Sequence, residues 1–428
     1  MSFPRYPRYK ASGVEWLGDV PEGWEVVRLR QIGPLLKGGG GSKEDITETG
    51  VPCVRYGDLY MTHSYHINAT RTRISEARAI DYTPIRFGDV LFAASGEKLA
   101  EIGKSAVNLM TAPAVCGGDV VILRPASDVD ARFLGYSADS PLAAMQKASM
   151  GRGTTIKHIY PDELRQLMLT VPPLPEQLAI AAFLDRETAK IDELVEAQAR
   201  LIELLKEKRQ AVISHAVTKG LNPHAPMKPS GVEWLGDVPE HWEVKKMRFI
   251  CDVQTGGRDT EHAVVDGEFP FFVRSQVIER INTKSFDGEA VLTAGDGAGV
   301  GKVFHHFVGA FDFHQRVYML SNFRGILGRF VFHYLRENFY KVALQGGAKS
   351  TVDSLRRPVF LNFSVCVPPI VEQDAIVASL ESQGDRFDSL MAEAERAITL
   401  LRERRSALIS AAVTGQIDVR NAVTLEVA

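Results

Sequence analysis

The chain writes SGVEWLGDVPEGWEV at residues 12–26 and SGVEWLGDVPEHWEV at residues 230–244, with fourteen of the fifteen residues identical. A second match lies downstream: VPPLPEQLAIAAFLD begins at Val171 and VPPIVEQDAIVASLE at Val367. The first pair is offset by 218 positions and the second by 196. The 196 offset also aligns KRQAVISHAVTKG (208–220) with RRSALISAAVTGQ (404–416), and GRGTTI (151–156) with GAKSTV (347–352). One unit is therefore written twice, and the second copy is 22 residues shorter between its opening and its Gly-containing turn. A period near 200 residues excludes a solenoid, whose repeats run about 20–50 residues. It requires two whole domains of one design. The edges are kept and the middles differ, as in a shared frame carrying two different working parts.

After each VPP motif the spacing predicts a long helix, at about Pro175–Lys219 and Val371–Thr414. Proline punctuates the start, and Glu176 in the first turn suits the helix dipole. Apolar residues recur at helical spacing: Ile180, Leu184, Ile191, Leu194, Leu201, Leu205 and Val212 in one, Ile376, Leu380, Phe387, Leu390, Leu401 and Leu408 in the other. Gly220 and Gly415 end the pattern. A lone rod would leave its apolar stripe in water. Two equivalent rods in one chain can bury their stripes on each other as a coiled coil, and the heptad series Leu184, Ile191, Gln198, Leu205, Val212 favours that pairing over two separately packed helices.

The middles, about 25–170 and 243–366, hold short β-like runs between turn signals, such as GDVLFAAS, GDVVILRP and RVYMLSN. A helical stretch follows in each, near DARFLGYSADSPLAAMQ and LGRFVFHYLRENFYKVAL. The expected fold class is α+β. The expected segments are 1–170, a helix at 171–220, 221–366, and a helix with its tail at 367–428.

Hydrophobic residues make up 45% of the 428 and charged residues 24%, enough for each half to bury its own core. The net charge of −3 is not that of a polybasic nucleic-acid binder. Both middles are slightly basic, however: 17 Lys and Arg against 16 Asp and Glu in the first, 16 against 13 in the second. A local basic face is enough for DNA. The four cysteines form no C-x-x-C pair and no zinc spacing, so they read as buried thiols in a reducing compartment. No apolar run reaches the ~20 residues of a membrane span, and the reading is cytoplasmic.

Catalytic signatures are missing. GEKLAEIGKS (96–105) has six residues between its glycine and GKS where a phosphate loop needs four. GDGAGVG (295–301) reads as a tight turn carrying Lys302. PDE at 161–163 lacks the downstream lysine of a nuclease, and no methyltransferase motif is present. No catalytic or metal-binding residue is expected on this chain.

The order GW-E, a variable domain, the motif GRGTTIKHIYPDELRQLMLTVPPLPEQLAIAAFLD, and a long helix ending AVTKG, all written twice and closing on TGQIDVR (414–420), resembles the specificity subunit of type I restriction–modification systems. LTAGDGAGVGKVF and FDFHQRVYML resemble the family's loop-plus-strand signatures; FAASGEKLAEIGKSAV and APAVCGGDVVIL are looser equivalents in the first copy. The resemblance implies two target recognition domains, each reading one half of a split duplex DNA site. It implies an antiparallel coiled coil that acts as a ruler and docks two methyltransferase subunits, which motor–nuclease subunits then join. It places S-adenosylmethionine, ATP and Mg²⁺ on those partners and no cofactor on this chain. A scaffold that never touches DNA and a solitary DNA-binding regulator are the alternatives.

Two sets of DNA-contact candidates follow. The Gly-containing turns offer backbone amides, hydroxyls and cations to phosphate: Arg152, Thr154, Thr155 and Lys157 in the first domain, Lys349, Ser350 and Thr351 in the second. An ordinary turn into the helix is the alternative there. For base edges, Arg, Gln, Ser and His have the donors and acceptors needed. Arg55, Tyr56, Lys98 and Lys104 lie on expected loop or strand ends of the first domain, and Arg274, Ser275, Gln276, Lys302, His314, Gln315 and Arg316 on those of the second. Each is as well suited to an ordinary surface or core position.

Overall fold

The computed structural model describes residues 3–126, 128–343 and 355–422, with the side chains of Lys43 and Ala343 left aside. The chain divides into two compact units, Met1–Gln198 with Arg396–Ala428, and Ala199–Glu395. Both divisions fall inside the long helices, which run over Leu174–Lys219 and Ile370–Val413. Each unit thus holds the front half of one long helix and the back half of the other.

The repeated opening builds the same frame in each unit. In the first, Tyr9–Ala11 pairs with Asp19–Pro21, and Glu25–Arg28 pairs antiparallel with Met168–Val171. In the second, Met227–Pro229 pairs with Asp237–Pro239, and Glu243–Lys246 with Ser364–Val367. The tryptophan of each opening is buried, and its indole N–H donates to the glutamate in the first turn of the helix that follows. Trp24 reaches Glu176 Oε2 at 2.6 Å and Trp242 reaches Glu372 Oε2 at 3.0 Å. Each indole also lies against the glycine that ends the other long helix. A Cβ on Gly415 would stand 3.2 Å from Trp24, and one on Gly220 would stand 3.2 Å from Trp242. Both glycines sit at φ near +75°, where only glycine is unstrained, so the helix ends and the Trp contact specify each other. These glycines correspond although they are 195 apart: the second copy lost one residue at the helix exit, which shifts the sequence alignment there by one.

The glutamine of each PEQ motif is a clamp. Buried Gln177 accepts from the Asp130 N–H at 2.8 Å and donates to Pro172 O at 2.8 Å. Buried Gln373 accepts from the Leu327 N–H at 2.8 Å and donates to Pro368 O at 2.7 Å. Each thereby ties its variable domain to its helix at the point where a domain helix begins, Ala131–Ala138 or Gly328–Asn338.

The long helices pack together as an antiparallel pair. In the first unit Ile180, Leu184 and Ile191 share a core with Leu408, Ile409 and Ala412; in the second, Ala216 and Val217 share one with Ile376, Val377 and Leu380. Through the helix middles, buried and half-buried residues follow a 4–3 alternation: Ile191, Val195, Gln198, Ile202, Leu205, Arg209, Val212, and, 196 later, Phe387, Met391, Ala394, Ile398, Leu401, Arg405, Leu408. This corrects the expected stripe. Leu194, Leu201 and Leu390 are 51%, 41% and 39% exposed. The seam takes the neighbouring Val195, Ile202 and Met391 instead, because a heptad advances by four and then three. Each arginine in the seam pairs across it with a repeated aspartate: Asp192 with Arg405 at 3.0 Å in the first unit, Asp388 with Arg209 at 2.6 Å in the second.

The divergent middles share one strand order. The first unit places Leu35–Lys37, Val120–Leu123, Val90–Ala93 and Ser105–Asn108 side by side; the second places Asp252–Thr255, Val317–Ser321, Phe286–Ala294 and Phe304–Phe313 likewise. The first adds a parallel strand Tyr65–Ile67 beside Ser105–Asn108. The second instead extends its hairpin from Phe286 to Phe313. All four cysteines are buried, and burial pushes their thiols up to about 12. Among the described residues no helix is long and apolar enough to cross a membrane.

Candidate nucleic-acid interface

In the second unit the strand Phe269–Phe272 runs parallel to the end of Phe304–Phe313, so Val273–Gln276 and His314–Arg316 leave the sheet at the same edge. Arg274 and Arg316 converge there on Asp296, at 3.0 and 2.8 Å, and both stay substantially exposed. Gln276 Nε2 donates to Lys302 O at 3.1 Å, and Ser275 Oγ donates to Val277 O. Gln315 donates to Asp259 Oδ2 at 2.5 Å, and its own N–H reaches Arg258 O at 2.8 Å. Arg274, Ser275, Gln276, Gln315, Arg316 and Lys302 thus form one polar rim around the turn Gly295–Lys302. His314 does not join its surface. Its ring is buried, accepts from the Arg316 N–H through Nδ1, and stands 3.4 Å from Asp259 through Nε2, so it holds the rim from below.

The first unit builds an equivalent edge. Val51–Val54 runs parallel to Ala114–Cys116, which places Arg55 beside Gly117 and Gly118. CGGDV (116–120) is therefore the counterpart of FHQRV (313–317), and the two looser sequence signatures do correspond. Arg55 Nη2 reaches Gly41 O at 3.4 Å, and Tyr56 is 40% exposed. The short strand Ser95–Gly96 pairs with Lys157–His158, so the Lys98 loop lies alongside the Arg152–Lys157 turn. Lys98 pairs with Glu101 at 3.2 Å and remains largely exposed. Arg152 contacts Glu163 at 3.0 Å, Thr154 and Thr155 are exposed, and Lys157 closes its own turn on Gly153 O and Thr154 O. Lys104 is not part of this rim. Its ammonium lies against buried Asp139, which also takes the fully buried Lys147 at 3.3 Å. Lys349, Ser350 and Thr351 lie outside the described residues.

One feature of both edges was missed in the sequence. After the first sheet strand of each domain come consecutive glycines, Gly38–Gly41 in the first and Gly256-Gly257 in the second. A Cβ on Gly38 would stand 2.1 Å from Gly117 O, and one on Gly256 would stand 1.9 Å from Phe313 O. The Gly118 N–H donates to Gly40 O, and the Gln315 N–H to Arg258 O, both at 2.8 Å. These glycines let the backbone press against the edge that carries the rim. Their offset of 218, that of the repeated opening, was the available signal.

The rims hold donors and cations at the ends of strands, a surface suited to phosphates and base edges. Among the described residues no group of three or more His, Cys, Asp or Glu side chains is placed to hold a metal.

The family model described as "Type I restriction modification DNA specificity domain" matches residues 21–204 and again 239–399. The chain is 24% identical over 432 residues to the type I restriction enzyme MjaVIII specificity subunit of Methanocaldococcus jannaschii, covering 94% of this chain and 95% of that one. It is 29% identical over 182 residues to the EcoDI specificity subunit of Escherichia coli, a match spanning 42% of this chain and 40% of that one. Among solved structures, a chain from a study of complex assembly and conformational transition of the type I R-M system superposes with a TM-score of 0.71 at 18% identity, covering 92% of this chain and 98% of that one. The HsdS subunit from Thermoanaerobacter tengcongensis superposes at 0.56, also at 18% identity and with the same coverage. With both repeats matched by the model, and with an α+β domain, a long helix and their repetition all in place, the chain belongs to the family of type I restriction–modification DNA specificity subunits.

Proposed function

We propose that this chain reads a bipartite DNA sequence, one half-site per variable domain, and presents its paired helices to two methyltransferase subunits. The observation that carries this reading is the contrast between frame and rim. The Trp–Glu, Gln–backbone and Asp–Arg contacts recur in both units, whereas the rims they support carry different side chains. A shared frame offers like partners two equivalent seats on one asymmetric chain. Different rims offer two different patterns of donors to DNA. The exposed leucines on the helices, Leu194, Leu201, Leu204, Leu390 and Leu400, lie off the seam and provide apolar surface for protein docking.

In this reading the chain is non-catalytic. S-adenosylmethionine, ATP and Mg²⁺ serve its methyltransferase and motor–nuclease partners. Arg55, Tyr56, Lys98, Arg152, Thr154 and Thr155 contact DNA in the first domain, and Arg274, Ser275, Gln276, Lys302, Gln315 and Arg316 in the second. The modest positive charge of each domain leaves part of the phosphate contact to the partners.

The test is a domain exchange. Residues 243–366 are replaced by the corresponding segment of another family member, and the methylated motif is read by genome-wide methylation sequencing with the cognate methyltransferase. One half-site changes and the other stays. A motif altered in both halves, or in neither, rejects the modular reading.

A further inference from the structure

The most informative contrast between the two copies lies where the variable domain meets the long helices. In the first unit this corner is closed, and its turn lysine is paired. The Gly103-Lys104 turn points its ammonium at Asp139, the residue just after the domain helix Ala131–Ala138. The ring of Tyr65 fills the corner, with Lys104 5.5 Å and Arg405 5.1 Å from its centroid. Arg405 in turn pairs with Asp192.

The same corner of the second unit keeps the Gly-Lys turn and the domain helix, with a cation where the first has a carboxylate. Gly301-Lys302 is the equivalent turn; Gly103 and Gly301 share φ values of 70° and 71°. The domain helices align through two repeated contacts. Their starts are held by Gln177 and Gln373, and the arginine at the second position of each pairs with the long helix: Arg132 with Asp185 at 3.0 Å, Arg329 with Glu381 at 2.9 Å. Counting from there, the position of Asp139 is occupied by Arg336. The strand that carries Tyr65 has no counterpart among the described residues, because the second copy extends its hairpin instead. What remains is an open groove of about 800 Å³, lined by Lys206, Arg209, Lys302, Arg336, Glu337 and Tyr340 among others.

Its charges do not balance. Arg209 is satisfied by Asp388, and Lys206 by Glu203 at 2.9 Å. Lys302 and Arg336 have no ion-pair partner among the described residues, and both are exposed. The one carboxylate in the lining, Glu337, is 7% exposed, and its Oε2 has no hydrogen-bond partner among the described residues. Burial raises its pKa, against the lowering by Arg336, by a hydrogen bond from Gln210, and by Lys341 and Arg209. With Lys206 and Arg209 paired elsewhere, Lys302 and Arg336 outnumber the one carboxylate of the lining, and like charges facing one groove repel each other unless an anion lies between them.

We propose that this groove is a phosphate-binding site present in the second unit alone, and that its ligand is the DNA backbone leaving the second half-site. The inference rests on the DNA-reading function proposed above and adds an asymmetry to it. Lys302 links the two: its carbonyl accepts from Gln276 of the rim, while the residue itself lines the groove. A strand contacting the rim at Lys302 therefore lies at the mouth of the groove that Arg336 also lines. In the first unit Asp139 instead holds the equivalent Lys104. The grip on the duplex is then stronger on one side of the unread spacer than on the other.

The experiment uses the full chain assembled with its methyltransferase subunits and a duplex bearing its methylated sequence, with affinity measured against salt. Arg336→Asp reproduces the closed corner by giving Lys302 an internal partner. It is expected to reduce the slope of log affinity against log salt by about one to two, at about 0.9 for each phosphate released from the groove. Lys302→Ala is expected to reduce it by about one, and Arg336→Lys to retain it. The methylated motif stays the same in the two Arg336 variants. Thermal denaturation of each variant checks the fold. In a second arm, inorganic pyrophosphate is titrated into the chain without DNA. Binding abolished in Arg336→Asp with an unchanged DNA slope keeps the phosphate site but overturns its assignment to the DNA backbone in favour of a free phosphate ligand. Unchanged slope and unchanged pyrophosphate binding overturn the proposal, as does a defect confined to subunit assembly, which would make the groove a seat for an acidic protein surface. A wild-type complex that does not bind the duplex at all instead refutes the DNA-reading function itself.

Discussion

Gln373 has 0% exposure, and its side-chain amide bonds three backbone groups: it accepts from the Leu327 N–H and donates to Pro368 O and Gly325 O. No other residue of that size has an acceptor and two donors in one plane. Gln373→Leu keeps the volume and strands those groups without partners, which costs roughly 2–4 kcal/mol. Urea denaturation of the full chain reads this directly, and a loss under about 1 kcal/mol would show that the clamp is dispensable. His333 offers a pH-dependent counterpart. Burial first, then Arg336, His306 and Arg209 nearby, hold its ring neutral against the pull of Glu381, and lower its pKa from 6.5 to about 4. Its Nδ1 is buried without a hydrogen-bond partner among the described residues. The folded state thus resists a proton that the unfolded chain accepts, so stability is lost as pH falls from about 6.5 to about 4 and changes no further below that. The gap between those two values sets the ceiling on the loss at about 3 kcal/mol. His333→Phe should flatten the decline in midpoint over that window; an undiminished decline would assign it to other groups.

At the scale of elements, the helix pair is specified by its seam and keyed by its charges. Asp192–Arg405 and Asp388–Arg209 are one contact written twice, and only an antiparallel pairing in this register makes both. Their side chains are between a fifth and three fifths exposed, so each pair contributes about 1 kcal/mol at most. Arg209→Asp sets two carboxylates face to face and is expected to lower stability by about 1 kcal/mol. Adding Asp388→Arg should recover most of it, and a double-mutant cycle measures the coupling. Zero coupling would mean that the apolar seam sets the register unaided. The heptad was legible in sequence from Leu184, Ile191, Gln198, Leu205 and Val212. Its other half was not, because Leu194 and Leu201 are as apolar as Val195 and Ile202 beside them, and only the partner helix decides which of two neighbours faces it.

For the whole molecule, the proposed reading makes helix length a determinant of target length. Because the helices pair antiparallel, an insertion must be matched in both. Seven residues between Gln198 and Ala199, with seven between Glu395 and Arg396, preserve the heptad and add about 10 Å. At about 3.4 Å per base pair, the unread gap should grow by about three base pairs, with both half-sites unchanged. A folded, active variant whose methylated motif keeps its original gap would leave the helices as docking surfaces only. A four-residue insertion after Lys206 alone breaks the seam on one side and should lower stability before it changes the motif.

The duplication, the two long helices to within a residue at each end, the α+β class and the family were all legible in the amino-acid sequence. Each of these rests on local or repeated patterns: a 3.6-residue period, a Pro start, a Gly stop, and one motif copied at a fixed offset. Some candidate residues were also placed usefully by type and position, since Arg274, Gln276 and Arg316 do meet on one edge. The rest was settled only when the chain packed. Packing assigned Lys104 to Asp139 and His314 to Asp259, pairings set by chain segments 35 and 55 residues away that no spacing rule connects. It gave the divergent middles one strand order, because a sheet is specified by alternation and edge contacts that tolerate almost any outward residue. It also made the copies differ most where nothing in their residues warned of it. One corner is closed by a tyrosine and a carboxylate and the other is left open between two cations, since charge balance depends on which side chains meet in space.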